Sequence, residues 1–510
     1  LQKHYYAVID IGSNTMRLVI YSRISSGRLH EVENVKSVAR LRNYIDANDY
    51  LTEEGIQKML DTLKSFKEVV SFYQLKAFIC VATASIRQAK NKQEIQNRVK
   101  KQLDWEMRIL SEKEEAYYGY LSVVNSTSII EGISVDIGGG STEVTYFKDR
   151  ILMESHSFPF GALTLQQFFT DTKSKEKALN ELKQFLYHEF QHLDWLRKKQ
   201  IPLITIGGSA RNLAQIDQSM KNYPLAGLHQ YKMNDSDIAR VLNHLMPMTR
   251  QELEKVEGLS NDRIDTIIPA ITVFHSLYGI TDATGFVLSR KGLRDGVFYE
   301  LLSGDSKHNL YPNVLEDSIE ELVHEYNLNV ERIQHIQLLT RKFFIGLKER
   351  GIGSLTQNDW QLLERACFVY NLGQYVDSES SAQHTFYLLA NRTLDGLMHI
   401  DRLKLALIAS FKNKTLFKQF IHPFKSWFLK EERKKLSLLG AIIKFMYCLD
   451  ATKRQVVQEF DIDIKEKSIH LHFYCNRDYK PEEFQMNKQK KHLEKALKHT
   501  IVLKFSNTAP

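Results

Sequence analysis

Two short stretches of the chain share one grammar. Asp10-Ile-Gly-Ser-Asn-Thr15 recurs as Asp136-Ile-Gly-Gly-Gly-Ser141, followed by Thr142 and Glu143, an offset of 126 residues. A glycine-rich turn between strands lets backbone N–H groups approach an anion with no side chain in the way. Gly12-Ser13-Asn14-Thr15 and Gly138-Gly139-Gly140-Ser141-Thr142 supply such turns, in which Asn14, Thr15, Gly139, Gly140, Ser141 and Thr142 stand, and the hydroxyls add donors. Asp10 and Asp136 stand at strand ends that would face the same anion. Carboxylates beside phosphate make sense where a divalent cation lies between them or where they handle a water. Asp136 and Glu143 are the candidate metal ligands, with Asp10 a further one. A lone Asp-Ile-Gly fits an ordinary tight turn; two copies, one running into Gly-Gly-Ser-Thr-Glu, do not read easily that way. A third turn, Ile206-Gly207-Gly208-Ser209-Ala210-Arg211, brings in Gly208 and Ser209 and reads equally well as a plain strand–helix connection.

These turns need strands on either side. Tyr5–Ile11, Met16–Ser22 and Leu29–Ala39 are strand candidates too close together for intervening helices, so an antiparallel meander is expected. Thr52 opens a helix to about Phe72, with apolar residues at Ile56, Met59, Leu60 and Leu63. Ala77–Ala82 reads as a buried strand, Asn91–Leu103 as a helix and Met107–Leu110 as a short strand. Ser111 with Glu114 three residues on has the form of a capping box. The pattern then restarts with Gly132–Ile137 and Thr142–Phe147, and later Leu203–Ile206. Two such units one domain apart suggest duplication with a cleft between the copies. After about residue 310 helices dominate: Leu315–Tyr326, Val330–Leu347, Gln357–Leu372, Gln383–Asn391, Asp401–Ala409 and Glu431–Leu449. Asp461–Tyr474 alternates as strands do, and Pro481–His499 reads as a basic helix in a small α/β cap.

The 510 residues allow three or four domains. No apolar run approaches the ~20 residues that span a bilayer, and no charged-then-apolar leader precedes the first strand, so neither membrane insertion nor secretion is expected. Cys80, Cys367, Cys448 and Cys475 are scattered without a CxxC pair, which fits a reducing compartment. The net charge of +8 suggests an anionic partner without identifying it. Position says more: Lys412 to Lys435 holds eight Lys or Arg against Glu431 and Glu432, and Lys488, Lys490, Lys491, Lys495 and Lys498 cluster near the end. No nucleic-acid motif accompanies them.

Asp10–Thr15, Val81-Ala-Thr-Ala-Ser-Ile-Arg87, Ser111-Glu-Lys-Glu-Glu-Ala116, Asp136–Glu143 and Gly207–Arg211 together resemble the exopolyphosphatase / guanosine pentaphosphatase family, in order and spacing as well as in wording. Arg263 with Asp265, and Gly292-Leu-Arg-Asp-Gly296, resemble its later motifs. The match spans about residues 5–300. It implies an α/β fold of two actin-like (ribonuclease H-like) domains at 1–125 and 126–305. An all-α HD-like domain at 306–455 and a small α/β C-terminal domain at 456–510 would follow. It implies a cytoplasmic, homodimeric hydrolase that uses Mg2+ or a similar divalent cation on inorganic polyphosphate or guanosine pentaphosphate. Glu115 matches the catalytic glutamate that would orient or deprotonate water, with Glu114 a possible substitute; without the motif both would read as first-turn acids favoured by the helix dipole. Arg87 lies where a family arginine reaches phosphate. In the helical domain the resemblance fails at the metal pair. Tyr370-Asn371-Leu372-Gly373 stands where His-Asp is expected, only His384 remains of the histidines, and no second catalytic centre is expected there. A kinase of the same superfold and a non-catalytic polyanion binder are the competing readings. The basic helices favour polyphosphate over the nucleotide.

Overall fold

The computed structural model describes residues 4–23, 29–170, 174–303 and 310–507. The domain boundary expected at 305/306 lies outside them. The chain divides into two compact units: residues 1–223 with 228–315, and residues 224–227 with 316–510.

The first unit contains two sheets. In the first, β1 (His4–Ile11), β2 (Met16–Arg23) and β3 (Leu29–Ser37) form the expected antiparallel meander. β4 (Leu75–Ala82) and β5 (Met107–Ile109) add in parallel, giving the order β3-β2-β1-β4-β5. β1 is apolar at consecutive positions because both of its faces are covered. Ala7, Ile9 and Ile11 pack under the helices Glu53–Ser71 and Lys92–Leu103. Tyr6 and Val8 face Phe298, which comes from the helix Leu293–Ser303 far along the chain. The Phe298 ring lies 5.2 Å from Tyr6 and 4.8 Å from Tyr21. Tyr118 adds a hydrogen bond to Glu300 at 2.6 Å. The last helix of the unit is thus bolted to its first sheet.

The second sheet comprises β6 (Gly132–Ile137), β7 (Thr142–Lys148), β8 (Ile151–Phe158), β9 (Leu203–Ile206), β10 (Tyr231–Met233) and β11 (Phe286–Leu288), in the order β10-β11-β9-β6-β7-β8. Read from its other edge, β8-β7-β6-β9-β11 repeats the first sheet's order strand for strand, with the same antiparallel and parallel pairings. The duplication extends to the turns. Gly12 N donates to Thr15 O at 3.0 Å, and Gly138 N to Ser141 O at 2.9 Å. This is the ribonuclease H-like arrangement in two copies. β8 escaped the sequence reading because it is largely exposed, and after Ile151-Leu152-Met153 its residues up to Ser157 are polar.

The second unit is helical from Val314–Glu325 through Lys430–Tyr447. The helix expected to reach Leu372 stops at Val369. Asn371 takes the left-handed conformation (φ 60°), which its short polar side chain tolerates, and Leu372–Tyr375 forms a separate short turn. Asn371 accepts a hydrogen bond from Ser381 at 3.2 Å, and the Tyr370 ring packs tilted against Tyr447, with centroids 4.4 Å apart. The unit ends in a three-stranded sheet, β12 (Val457–Ile464), β13 (Ser468–Cys475) and β14 (Thr500–Asn507), carrying the helix Lys480–Leu497. β14 was not anticipated; it pairs in parallel with β13. Among the described residues no helix is long and apolar enough to cross a membrane.

Candidate active site

The two copied turns meet. A Cβ on Gly139 would lie 3.0 Å from the Ser13 side chain and 3.6 Å from Asn14 N, so glycine is what lets the loops touch. Around this contact lies a cleft lined by Asp10, Asn14, Thr15, Glu115, Asp136, Gly139, Ser141 and Gly208 of the sequence candidates. Arg87, Gly140, Thr142, Glu143 and Ser209 do not line it. Gly140 is buried where the loops approach each other. Thr142 is fully buried and donates to Phe160 O at 2.8 Å. Ser209 is buried and accepts from Arg263 Nη1 at 3.1 Å, while a Cβ on Gly208 would overlap the Arg263 guanidinium. The third turn therefore makes room for an arginine.

The structure separates the two glutamates left open by the sequence. The helix Glu112–Val124 begins with the expected capping box: Glu114 accepts from Ser111 N at 2.7 Å, and Ser111 Oγ accepts from Glu114 N at 3.2 Å. Burial works against the Glu114 charge, but Arg108 and the cap bonds outweigh it and hold the carboxyl down to about 2. Glu115, one residue on, points into the cleft. Its carboxylate accepts from Arg87 Nη1 at 2.8 Å, and that nitrogen also donates to Leu110 O at 3.0 Å. Burial pushes Glu115 up to about 7; Arg87 opposes this, while Asp136 and Asp10 add to it. A carboxyl that changes charge near neutrality is suited to accepting a proton there.

Asp136, next to last in β6, lies against Gly207, whose φ of 88° and lack of Cβ both serve the contact: a Cβ there would sit 2.6 Å from Asp136 Oδ1. Burial and the charge of Asp10 push Asp136 up to about 6, against Arg211, Arg294 and Arg263. Glu143 lies buried behind the cleft and accepts from Ser157 Oγ at 3.0 Å. Burial and then the Glu115 charge raise it well above the carboxylate range. Asp10 is already engaged, accepting from Arg294 Nη1 at 2.9 Å.

Five arginines line the cleft: Arg17, Arg211, Arg263, Arg290 and Arg294. The sequence reading gave a site role to none of them. Arg211, Arg263 and Arg294 stood inside quoted motifs, and Arg17 could have been noticed as a lone cation in an apolar strand. Burial, then Arg294, Arg17, Arg263 and Arg290, lower Arg211 to about 10. Arg17 is lowered by burial and then by Arg294. Cations that destabilise one another in this way are set up for an anion. Several buried polar atoms also lack a partner: Ser85 Oγ, Arg294 Nε, and the Asn14 amide oxygen, which a flip of the amide would replace by a donor. Unpaired buried donors are costly unless a ligand completes them.

Among the described residues no group of three or more His, Cys, Asp or Glu is arranged to hold a metal ion. That still fits Mg2+. The ion commonly keeps several waters and takes one or two carboxylates together with substrate phosphates. Asp136 is in place for this, lining the cleft with no ion pair among the described residues. Asp10 would first have to share Arg294.

A model of the Ppx/GppA phosphatase family matches residues 19–304, and one of Ppx/GppA phosphatase, domain III, matches residues 314–498. Among solved structures, the Ppx/GppA family member of Aquifex aeolicus is 26% identical, covering 59% of this chain and 97% of its own, with a TM-score of 0.52. An exopolyphosphatase from Cytophaga hutchinsonii, 22% identical, shares the fold over 60% of this chain and 100% of its own, with a TM-score of 0.53. The family match covers more than half of the residues, including the second turn, Glu114 and Glu115, and Arg211, Arg263, Arg290 and Arg294: the chain belongs to the Ppx/GppA phosphatase family.

Proposed function

We propose that the protein is an exopolyphosphatase that releases terminal orthophosphate from linear inorganic polyphosphate by attack of water. The observation that carries this reading is the cleft itself, where five arginines and unpartnered donors surround a carboxyl poised near neutrality. The backbone of Gly139, the Ser141 hydroxyl and Asn14 with Thr15 would hold the terminal phosphate, and the arginines would neutralise it and the next groups. Glu115 would orient a water and take its proton. A bond forms from the water oxygen to phosphorus, the bridging P–O bond breaks, and the shortened chain leaves. Mg2+, when bound beside Asp136, would neutralise phosphate charge. Phosphoryl transfer is mostly positioning and charge neutralisation, so this set of groups is chemically sufficient.

The same site could serve guanosine pentaphosphate. The basic segments favour the longer polyanion: the helix Lys480–Leu497 carries Lys488, Lys490, Lys491 and Lys495. By resemblance the protein would be a cytoplasmic homodimer, and its four cysteines, none of them in a disulfide among the described residues, are compatible with a reducing compartment.

Phosphate release from long-chain polyphosphate and from guanosine pentaphosphate, measured side by side with Mg2+, tests the reading. Faster release from polyphosphate supports it; release mainly from the nucleotide moves the protein to the sister activity. Two further outcomes are expected. Since Glu115 must be ionised to accept a proton, kcat should rise with pH through about 7 and level off above it. A kcat–pH profile already flat at 5 would refute the assignment. Changing Lys488, Lys490 and Lys491 to Ala should slow long-chain turnover several-fold at low salt, sparing short chains, with the difference fading as salt rises. Equal effects on both chain lengths would remove the reason for preferring polyphosphate.

A further inference from the structure

Arg87 was expected to grip phosphate, and its surroundings point elsewhere. It sits in the short helix Ala84–Gln88 and lines no part of the cleft, where five other arginines already stand. Its Nη1 is committed twice, to Leu110 O at 3.0 Å and to Glu115 at 2.8 Å. Leu110 ends the loop from which the Glu115 helix starts, so one guanidinium nitrogen ties the side chain of Glu115 to the backbone that leads into it. Both partners are well shielded, with side-chain exposures of 14% and 11%. A charge pair so enclosed is screened little by water and salt.

We infer that Arg87 is a positioning residue, acting on the reaction through Glu115 by fixing the direction of that carboxylate. The inference rests on the reading of Glu115 as the base. The other charges facing Glu115 are Asp136 and Asp10, both of which push its proton affinity up, while Glu143 behind the cleft is coupled to it through its own charge. Among the strongest influences on Glu115, Arg87 is the cation that opposes them; the five cleft arginines stand further along the same cleft. Without Arg87, burial and the carboxylates would meet less opposition, and the base would stay protonated to higher pH. The rival role has its own basis: Arg87 Nε and Nη2 are buried without a partner and could be completed by phosphate.

Arg87→Gln and Arg87→Lys separate the two. For Arg87→Gln the acid limb of kcat should move up by ~1–3 pH units, the range for removing a neighbouring opposite charge. Activity should recover toward that of the parent above the new limb, and KM for polyphosphate should change less than about two-fold. Arg87→Lys, which keeps the charge without the fork, should lie between. Titration of Glu115 itself, read from carbon-13-labelled glutamate against Glu115→Gln, should shift by the same amount and needs no turnover. A rise in KM of tenfold or more with the limb in place would overturn the inference and return Arg87 to phosphate. An unshifted Glu115 titration in a folded Arg87→Lys or Arg87→Gln protein would also overturn it. A shifted titration in a protein whose parent hydrolyses neither substrate would support the Arg87–Glu115 link while rejecting the proposed function.

Discussion

Glu115→Gln is expected to lower kcat for phosphate release by about 10²–10⁴-fold, the usual worth of a positioned general base, with a much smaller change in KM. Glutamine keeps the shape and can still accept from Arg87, so the cleft should remain intact; what is lost is the lone pair that takes the proton. Glu114 cannot step in, because Arg108 and the Ser111 cap hold it down to about 2 and fix its direction. Folding should not suffer. Removing a carboxyl that burial drives up to about 7 also removes the cost of keeping it charged, so Tm at pH 8 should equal or exceed that of the parent. The sign follows from proton binding. A carboxyl raised in the folded state binds its proton more tightly there than unfolded, so its contribution to stability is lost as pH rises through about 7. Steady-state kinetics and thermal unfolding check both parts. A kcat within tenfold of the parent would remove Glu115 from the mechanism.

Gly161→Ala is expected to reduce kcat/KM by about 10²-fold or more. Gly161 stands behind the second glycine turn, where a Cβ would lie 2.6 Å from Gly138 O, 2.6 Å from Gly139 C and 2.7 Å from Gly140 N. Those are backbone atoms, with no flexible side chain to give way. Ala162 N and Leu163 N also donate to Gly138 O and Gly139 O at 2.9 and 3.0 Å, so turn and support must move together. Misplacing catalytic groups by about 1 Å costs on the order of 10²-fold in rate. Overpacking should also destabilise the fold by ~1–3 kcal/mol. Gly279→Ala is the control: nothing lies within 4 Å of its added Cβ, and it sits in the helix Ile267–Thr281, where alanine is the better helix former. The contrast between the two variants in kcat/KM and Tm tests the claim; equal activity would show that the turn tolerates displacement.

The local grammar was legible. The repeated Asp-Ile-Gly turns, the Thr52 cap and the Ser111 capping box depend on hydrogen bonds between residues a few positions apart, and the strands beside the turns show as apolar runs. Residue type and spacing therefore suffice to announce them. Even the duplication could be read from an interval, and the repeated strand order shows it at the level of whole sheets. Where burial did not mark a strand, as in β8, the sequence was silent. Where one residue could take an uncommon backbone conformation, as at Asn371, it placed a helix end a few residues late.

What the sequence determined by itself was an inventory: two phosphate-type turns, acids at their strand ends and a capped helix carrying two glutamates. The tertiary structure decided how those groups are used. Arg294 meets Asp10 across 284 positions because the last helix of the unit returns to cover the first sheet. Ser209 serves Arg263, Arg87 serves Glu115, and Glu114 is taken by a cap, leaving its neighbour for the cleft. The physical reason is the same in each case. A side chain's charge state and free hydrogen bonds depend on what surrounds it in space, and most of those neighbours come from distant parts of the chain.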